Sequence, residues 1–119
     1  MPTEDDLFEK LRVELRRGSL ILAVLGALRE ERYGYTLRNS LEQAGLPIEE
    51  GALYPLLRRL EAQGLLTSEW REEGKRNKRF YRLSDEGERV VELLLVEWRQ
   101  IGQSLERIFA DGNPTGDIT

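Results

Sequence analysis

The side chains that could do chemistry in this chain are cationic, and they are clustered. Lys75-Arg76-Asn77-Lys78-Arg79-Phe80-Tyr81-Arg82 holds five basic residues and no acid, and Arg58-Arg59 forms a second pair upstream. Such a concentration of positive charge suits phosphate, whose neutralisation by Lys and Arg releases counterions. Other chemistry is scarce. The chain has no Cys and no His, which excludes thiolate zinc sites, imidazole ligation of haem, Cys or Ser/His nucleophile systems and disulfides. Ser19, Ser40 and Asp85 could be invoked for a small hydrolase, but no base serves a serine without His and no carboxylate pair stands out. No catalytic residue, metal or cofactor is expected.

The net charge of −4, from 18 basic and 22 acidic residues, argues at face value against a polyanionic partner. Its distribution reverses that argument, because Met1 to Glu14 holds five acids against Lys10 and Arg12 while the Lys75–Arg82 segment is wholly basic. A duplex would meet the local field, not the sum. At 119 residues the chain fits one compact domain, with room for a protruding element. The longest apolar stretch, Leu20 to Leu28, is too short and interrupted for a membrane span, and a cytoplasmic location is expected.

The elements that must position these cations follow from periodicity. Leu7, Phe8, Leu11 and Leu15 fall at helical spacing, as do Ile21, Val24, Leu25 and Leu28. Gly18-Ser19 separates two helices or lies within one bent helix. A short second helix carrying Leu37, Leu41 and Ala44 is stopped by Gly45, and a third spans about Glu50 to Gln63 before Gly64. In the third, Leu53, Leu56, Leu57 and Leu60 share one side, leaving Gly51, Pro55, Arg58, Arg59 and Ala62 outward. Pro55 requires either a later helix start or a bend. Leu65 to Arg71 and Arg79 to Leu83 read as the strands of a hairpin whose tip and returning strand carry the basic cluster.

Ser84 caps a last helix reaching about Phe109, although Gly87 spoils a full capping box. A helix of about 25 residues is nearly 40 Å long, more than the body of so small a domain. Leu94, Trp98, Ile101, Leu105, Ile108 and Phe109 would then lie exposed, which homodimerisation remedies. The expected fold is mainly α with a small two-stranded β-hairpin (α+β). Residues 1–84 form a winged helix-turn-helix with an N-terminal helix, 85–110 a dimerisation helix, and 111–119 a disordered tail. Trp70 is expected to pack in the core or at the hairpin base, and Tyr33-Gly34-Tyr35 to form a turn at the lip of the core.

Five ordered blocks carry a resemblance: Gly18-Ser19-Leu20-Ile21-Leu22-Ala23-Val24-Leu25, Tyr33-Gly34-Tyr35, Gly51-Ala52-Leu53-Tyr54-Pro55-Leu56-Leu57-Arg58-Arg59-Leu60-Glu61, Gly64-Leu65-Leu66, and Phe80-Tyr81-Arg82-Leu83-Ser84-Asp85-Glu86-Gly87. The chain resembles the PadR family of bacterial transcription regulators, in its shorter subfamily, from about Leu15 to Ile108. The wing departs from the family pattern in having a single Gly74 and acids at Glu72 and Glu73.

The resemblance implies a homodimeric repressor that binds a pseudo-palindromic operator in duplex DNA. Arg58 and Arg59 would face the major groove, and Tyr54 would either reach the DNA backbone or serve as a partly buried structural tyrosine. Lys75, Arg76, Lys78 and Arg79 would place the wing on phosphates. In some PadR-like regulators a tryptophan matching Trp98 meets its symmetry mate and sandwiches a flat aromatic effector; the alternative is that Trp98 only fills the interface. A rival reading is a winged helix that docks another protein through the last helix and binds no DNA.

Overall fold

In the computed structural model, which describes residues 3–111, Thr3 opens the first element. Its hydroxyl accepts a hydrogen bond from the Asp6 backbone N–H at 3.1 Å, and the Asp6 carboxylate accepts one from the Thr3 N–H at 3.1 Å, a reciprocal cap. Glu4, Asp5 and Asp6 face the positive end of the helix dipole. The helix α1 (Glu4–Ala27) runs unbroken through Gly18 and Ser19, so the two apolar runs belong to one helix. Ser19 is accommodated because its hydroxyl donates to the Arg16 carbonyl at 2.7 Å. Only the C-terminal half of α1 is sealed in the core, through Val24 and Leu25 with Leu28 just beyond its end; Leu7, Phe8, Leu11, Val13 and Leu15 are exposed.

After α1 come β1 (Arg32–Tyr33), α2 (Gly34–Gln43), α3 (Glu50–Ala62), β2 (Leu66–Glu73), β3 (Arg76–Leu83) and α4 (Asp85–Asp111). The sheet has the order β1-β3-β2 and is antiparallel. The expected hairpin is β2 and β3, and β1 adds a short third strand that pairs Arg32 with Tyr81 and Tyr33 with Phe80; two residues are too few to show a period of two. Leu37, Leu41, Leu53, Leu57, Leu60, Leu66, Tyr81, Leu83 and Val91 complete one core with the end of α1.

The helix α3 begins at Glu50 and continues through Pro55. The missing Pro55 N–H is tolerated on the outward side, where Gly51 and Pro55 are both exposed to water. Its last turn hands over to the sheet by the Leu65 N–H donating to the Leu60 carbonyl at 3.0 Å. Ser84 caps α4, accepting from the Gly87 N–H at 2.9 Å while its own hydroxyl donates to the Gly64 carbonyl at 2.6 Å. A Cβ at position 87 would lie 2.1 Å from the Leu65 carbonyl oxygen, so close approach of this backbone to the residue before β2 demands glycine where a capping box would have Glu.

Val91 is the last buried residue of α4, and from Glu92 to Ala110 every residue is exposed. The helix includes Asp111, the first residue of the expected tail; 112–119 lie outside the described residues. The molecule measures 65 × 39 × 24 Å with a radius of gyration of 18.3 Å, against about 13–14 Å for a compact chain of this length. Two helical arms, the first half of α1 and most of α4, account for the excess. Among the described residues no helix is long and apolar enough to cross a membrane.

Candidate nucleic-acid interface

The outward face of α3 is built by the leucines on its other side. Leu53, Leu57 and Leu60 anchor it in the core, and this leaves Arg58 and Arg59 exposed beside Gly51, Pro55 and Ala62. Neither arginine has an acidic partner among the described residues. Tyr54, half-buried, fills the corner between α3 and the start of α2. A Cβ on Gly34 would come 2.1 Å from the Tyr54 hydroxyl, so Gly34 is a contact glycine as well as the first residue of α2. Tyr33 packs edge-on against Phe80 with ring centroids 5.3 Å apart, in keeping with a place at the lip of the core. Tyr35 departs from that expectation: one residue further along the helix, it points to solvent.

The hairpin sorts its cations by position. At the tip, where Glu73 pairs with Arg76 around Gly74-Lys75, both Lys75 and Arg76 are exposed and free of ion pairs among the described residues. Lys78, half-buried, donates to Glu73 at 2.9 Å and sits 4.3 Å from the Tyr33 ring centroid. Those partners, Glu73 foremost, raise its pKa. Arg71 is paired to Glu31 and Glu69 and covers the Phe80 ring at 4.5 Å; hydrogen bonding from Arg71 holds the Glu31 carboxyl below its ordinary range.

Arg79 is turned inward. Its Nη2 donates to Glu61 of α3 at 3.0 Å and its Nε to the Ser68 hydroxyl at 2.9 Å, while that hydroxyl donates to the second Glu61 oxygen at 2.7 Å. The sequence expectation of a phosphate contact grouped Arg79 with Lys75 and Arg76; in the fold its guanidinium bridges strand and helix.

Strand alternation explains this division. Leu66, Ser68 and Trp70 of β2 and Leu83, Tyr81 and Arg79 of β3 share the face toward α3, which is core at its base and open further out. Burial pushes the Tyr81 phenol pKa up inside this face. Trp70 lies beyond the core, not in it: it is 64% exposed, with the Arg79 guanidinium 5.7 Å from its ring centroid. The expectation that it packs failed because the hairpin outruns the body of the domain. Trp70 and Asn77 instead join Tyr33, Gly34, Tyr54, Arg58, Lys78 and Arg79 around a cleft of about 330 Å³ between α3 and the hairpin. Sequence reasoning assigned Trp70, Asn77 and Glu61 no part in this surface, although the alternation of Ser68 and Trp70 with Leu66 was visible.

On α4, Leu94, Trp98, Ile101, Leu105, Ile108 and Phe109 are all exposed, Trp98 to 45%. The exposed apolar residues of α1 form a second such surface, marked in the sequence only by their helical spacing. No group of His, Cys, Asp and Glu that could hold a metal ion occurs among the described residues.

The chain matches known proteins in both sequence and fold. The family model described as the transcriptional regulator PadR-like family matches residues 21–93. The chain is 40% identical over 75 residues to transcriptional regulator Rv3488 of Mycobacterium tuberculosis, covering 62% of this chain and 70% of that protein. Among solved structures, a PadR family transcriptional regulator from Eggerthella lenta superposes with a TM-score of 0.84 at 45% identity, covering 88% of this chain and 94% of that one. Bacillus subtilis PadR, solved in complex with operator DNA, gives a TM-score of 0.61 at 29% identity over 66% of this chain and 48% of that one. The family and these relatives are transcriptional regulators and not enzymes. The chain is a winged-helix transcriptional regulator belonging to the PadR-like family.

Proposed function

We propose that this regulator binds a pseudo-palindromic operator as a homodimer and represses transcription. The observation that carries the reading is the free charge on one side of the winged helix: Arg58 and Arg59 on α3, with Lys75 and Arg76 at the hairpin tip, all exposed and unpaired among the described residues. Arginine on a recognition helix can bond bidentately to guanine in the major groove. The tip cations, with Lys78, contribute phosphate contacts, and Tyr54 orients the backbone beside them. The complex of Bacillus subtilis PadR with operator DNA supports the same use of this fold here.

Residues 1–84 are assigned to the DNA-binding unit and 85–110 to dimerisation. Leaving Leu94, Trp98, Ile101, Leu105, Ile108 and Phe109 in water would forgo ~25 cal/mol for each Å² of apolar area that a partner could cover. Leu7, Phe8, Leu11 and Leu15 in the first half of α1 are exposed in the same way. Two-fold symmetry then places two α3 helices on half-sites about one or two helical turns apart. A flat aromatic effector between the two Trp98 rings would regulate binding by favouring one spacing of the helices. Fluorescence of a Trp70→Phe variant, in which Trp98 alone reports, should be quenched by flat aromatic dyes; no quenching removes the effector role.

The reading is tested by titrating the promoter fragment upstream of the gene, and a scrambled duplex, at two salt concentrations. Tight, salt-sensitive preference for the promoter is expected. Equal indifference to both duplexes at low salt overturns it.

A further inference from the structure

We propose that Glu61, Ser68 and Arg79 form a strut that sets the angle between α3 and the hairpin, and that Glu61, although anionic, is for this reason required for tight operator binding. The inference rests on the DNA-binding reading above and adds positioning residues to it. Three elements meet in the strut: Glu61 from α3, Ser68 from β2 and Arg79 from β3. Its three hydrogen bonds, at 2.7, 2.9 and 3.0 Å, close a ring in which both Glu61 oxygens accept. The Glu61 and Arg79 side chains are 28% and 36% exposed, and Arg79 lies over Tyr81 with 5.5 Å to its ring centroid.

Position gives the strut its leverage. Among the described residues it is the outermost hydrogen-bonded link between α3 and the hairpin; further out, β2 and β3 bond to each other and not to the helix. Arg76 stands three residues beyond Arg79 on the same strand, ~10 Å further along, so a tilt of about 10° at the strut would move the tip by about 2 Å. A hydrogen bond to phosphate does not survive such a shift. Arg79 also spends two of its donors inside the ring, which leaves Lys75 and Arg76 as the freer groups for phosphate.

Charge and geometry make opposite predictions for Glu61. Removing a carboxylate beside the cationic face should strengthen attraction to phosphate; removing a strut member should weaken it. Promoter binding by the full chain is measured by fluorescence anisotropy across a salt series for Glu61→Gln, Arg79→Gln, the double variant and Lys75→Ala, with a thermal melt of each. We expect Glu61→Gln to weaken promoter binding roughly tenfold, as for loss of a charge-assisted hydrogen bond. Because displaced tip cations neutralise fewer phosphates, its salt slope should fall as well, as it should by about 0.9 when Lys75→Ala removes one contact. The double variant should bind no more weakly than Arg79→Gln alone.

Unchanged or tighter binding by Glu61→Gln, or losses that add in the double variant, overturns the proposal while leaving the DNA-binding reading intact. Wild-type protein that ignores promoter and scrambled duplex alike overturns both. Should Glu61→Gln melt below the assay temperature, Ser68→Ala decides, since it opens the ring with both charges in place: about threefold weaker binding supports the strut, and unchanged binding sinks it.

Discussion

The cations of the α3 face and hairpin tip and three of the hairpin stem, Arg71, Lys78 and Arg79, are the same residue types, yet they are wired oppositely. Arg58, Arg59, Lys75 and Arg76 stand free of acids among the described residues, while Arg71, Lys78 and Arg79 each hold one or two carboxylates. A basic run in a sequence therefore mixes two functions. On the proposed reading, cations whose field is uncompensated attract phosphate, and those matched by Glu31, Glu61, Glu69 and Glu73 shape the surface that presents the first group. An acidic chain can bind a polyanion on these terms, because its acids neutralise the stem and not the tip.

This contrast can be broken at several points, with decreasing effect. Arg58→Ala and Arg59→Ala should each weaken promoter binding by ~1–3 kcal/mol and relax preference at one base position if they read bases, as seen by anisotropy against single-base promoter variants. A uniform loss across all variants would reassign them to phosphate. Gly34→Ala drives a methyl group into the Tyr54 hydroxyl, and overpacking of this kind should lower stability by about 1–3 kcal/mol in urea unfolding. Because Tyr54 lies between the two groups of cations, promoter affinity should fall with it.

Smaller effects sharpen the comparison within the hairpin. Lys75→Ala and Arg76→Ala should each cut the salt slope by about 0.9, while Lys78→Ala should cut it less, since Glu73 already compensates that charge. The weakest effect is expected at Glu31. Its carboxyl pKa is lowered by Arg71, so its contribution to stability is present above the ordinary carboxylate value and disappears as pH falls through the lowered folded value. NMR titration should show the Glu31 carboxyl protonating at lower pH in wild type than in Arg71→Ala, with little change in the unfolding midpoint because the pair is exposed.

Much of this was legible before any coordinates. The leucine stripe of α3 placed Arg58 and Arg59 outward, and the glycines at 45 and 64 marked helix ends, because a period of 3.6 and a helix stop are local signals. The Thr3–Asp6 cap was equally local, in a segment read only for its charge. Strand β1 escaped because two residues carry no period and exist only by pairing with β3. The destination of Arg79 was hidden for a different reason: Glu61 and Ser68 reach it through the tertiary meeting of α3 with the hairpin. Trp70 was misplaced since a large aromatic on a strand ordinarily packs, and its exposure depends on how far the hairpin extends past the core. The exposed apolar surface on α1 was obscured because its spacing is that of any amphipathic helix.

The central claim is that two chains together present two α3 faces to one duplex. Sedimentation equilibrium of the protein with a fluorescently labelled promoter fragment at low salt tests it most directly. The account predicts a dimer in the free protein at micromolar concentration and a complex of two chains per operator. A free monomer, or a labelled duplex that sediments alone at every protein concentration, would contradict it.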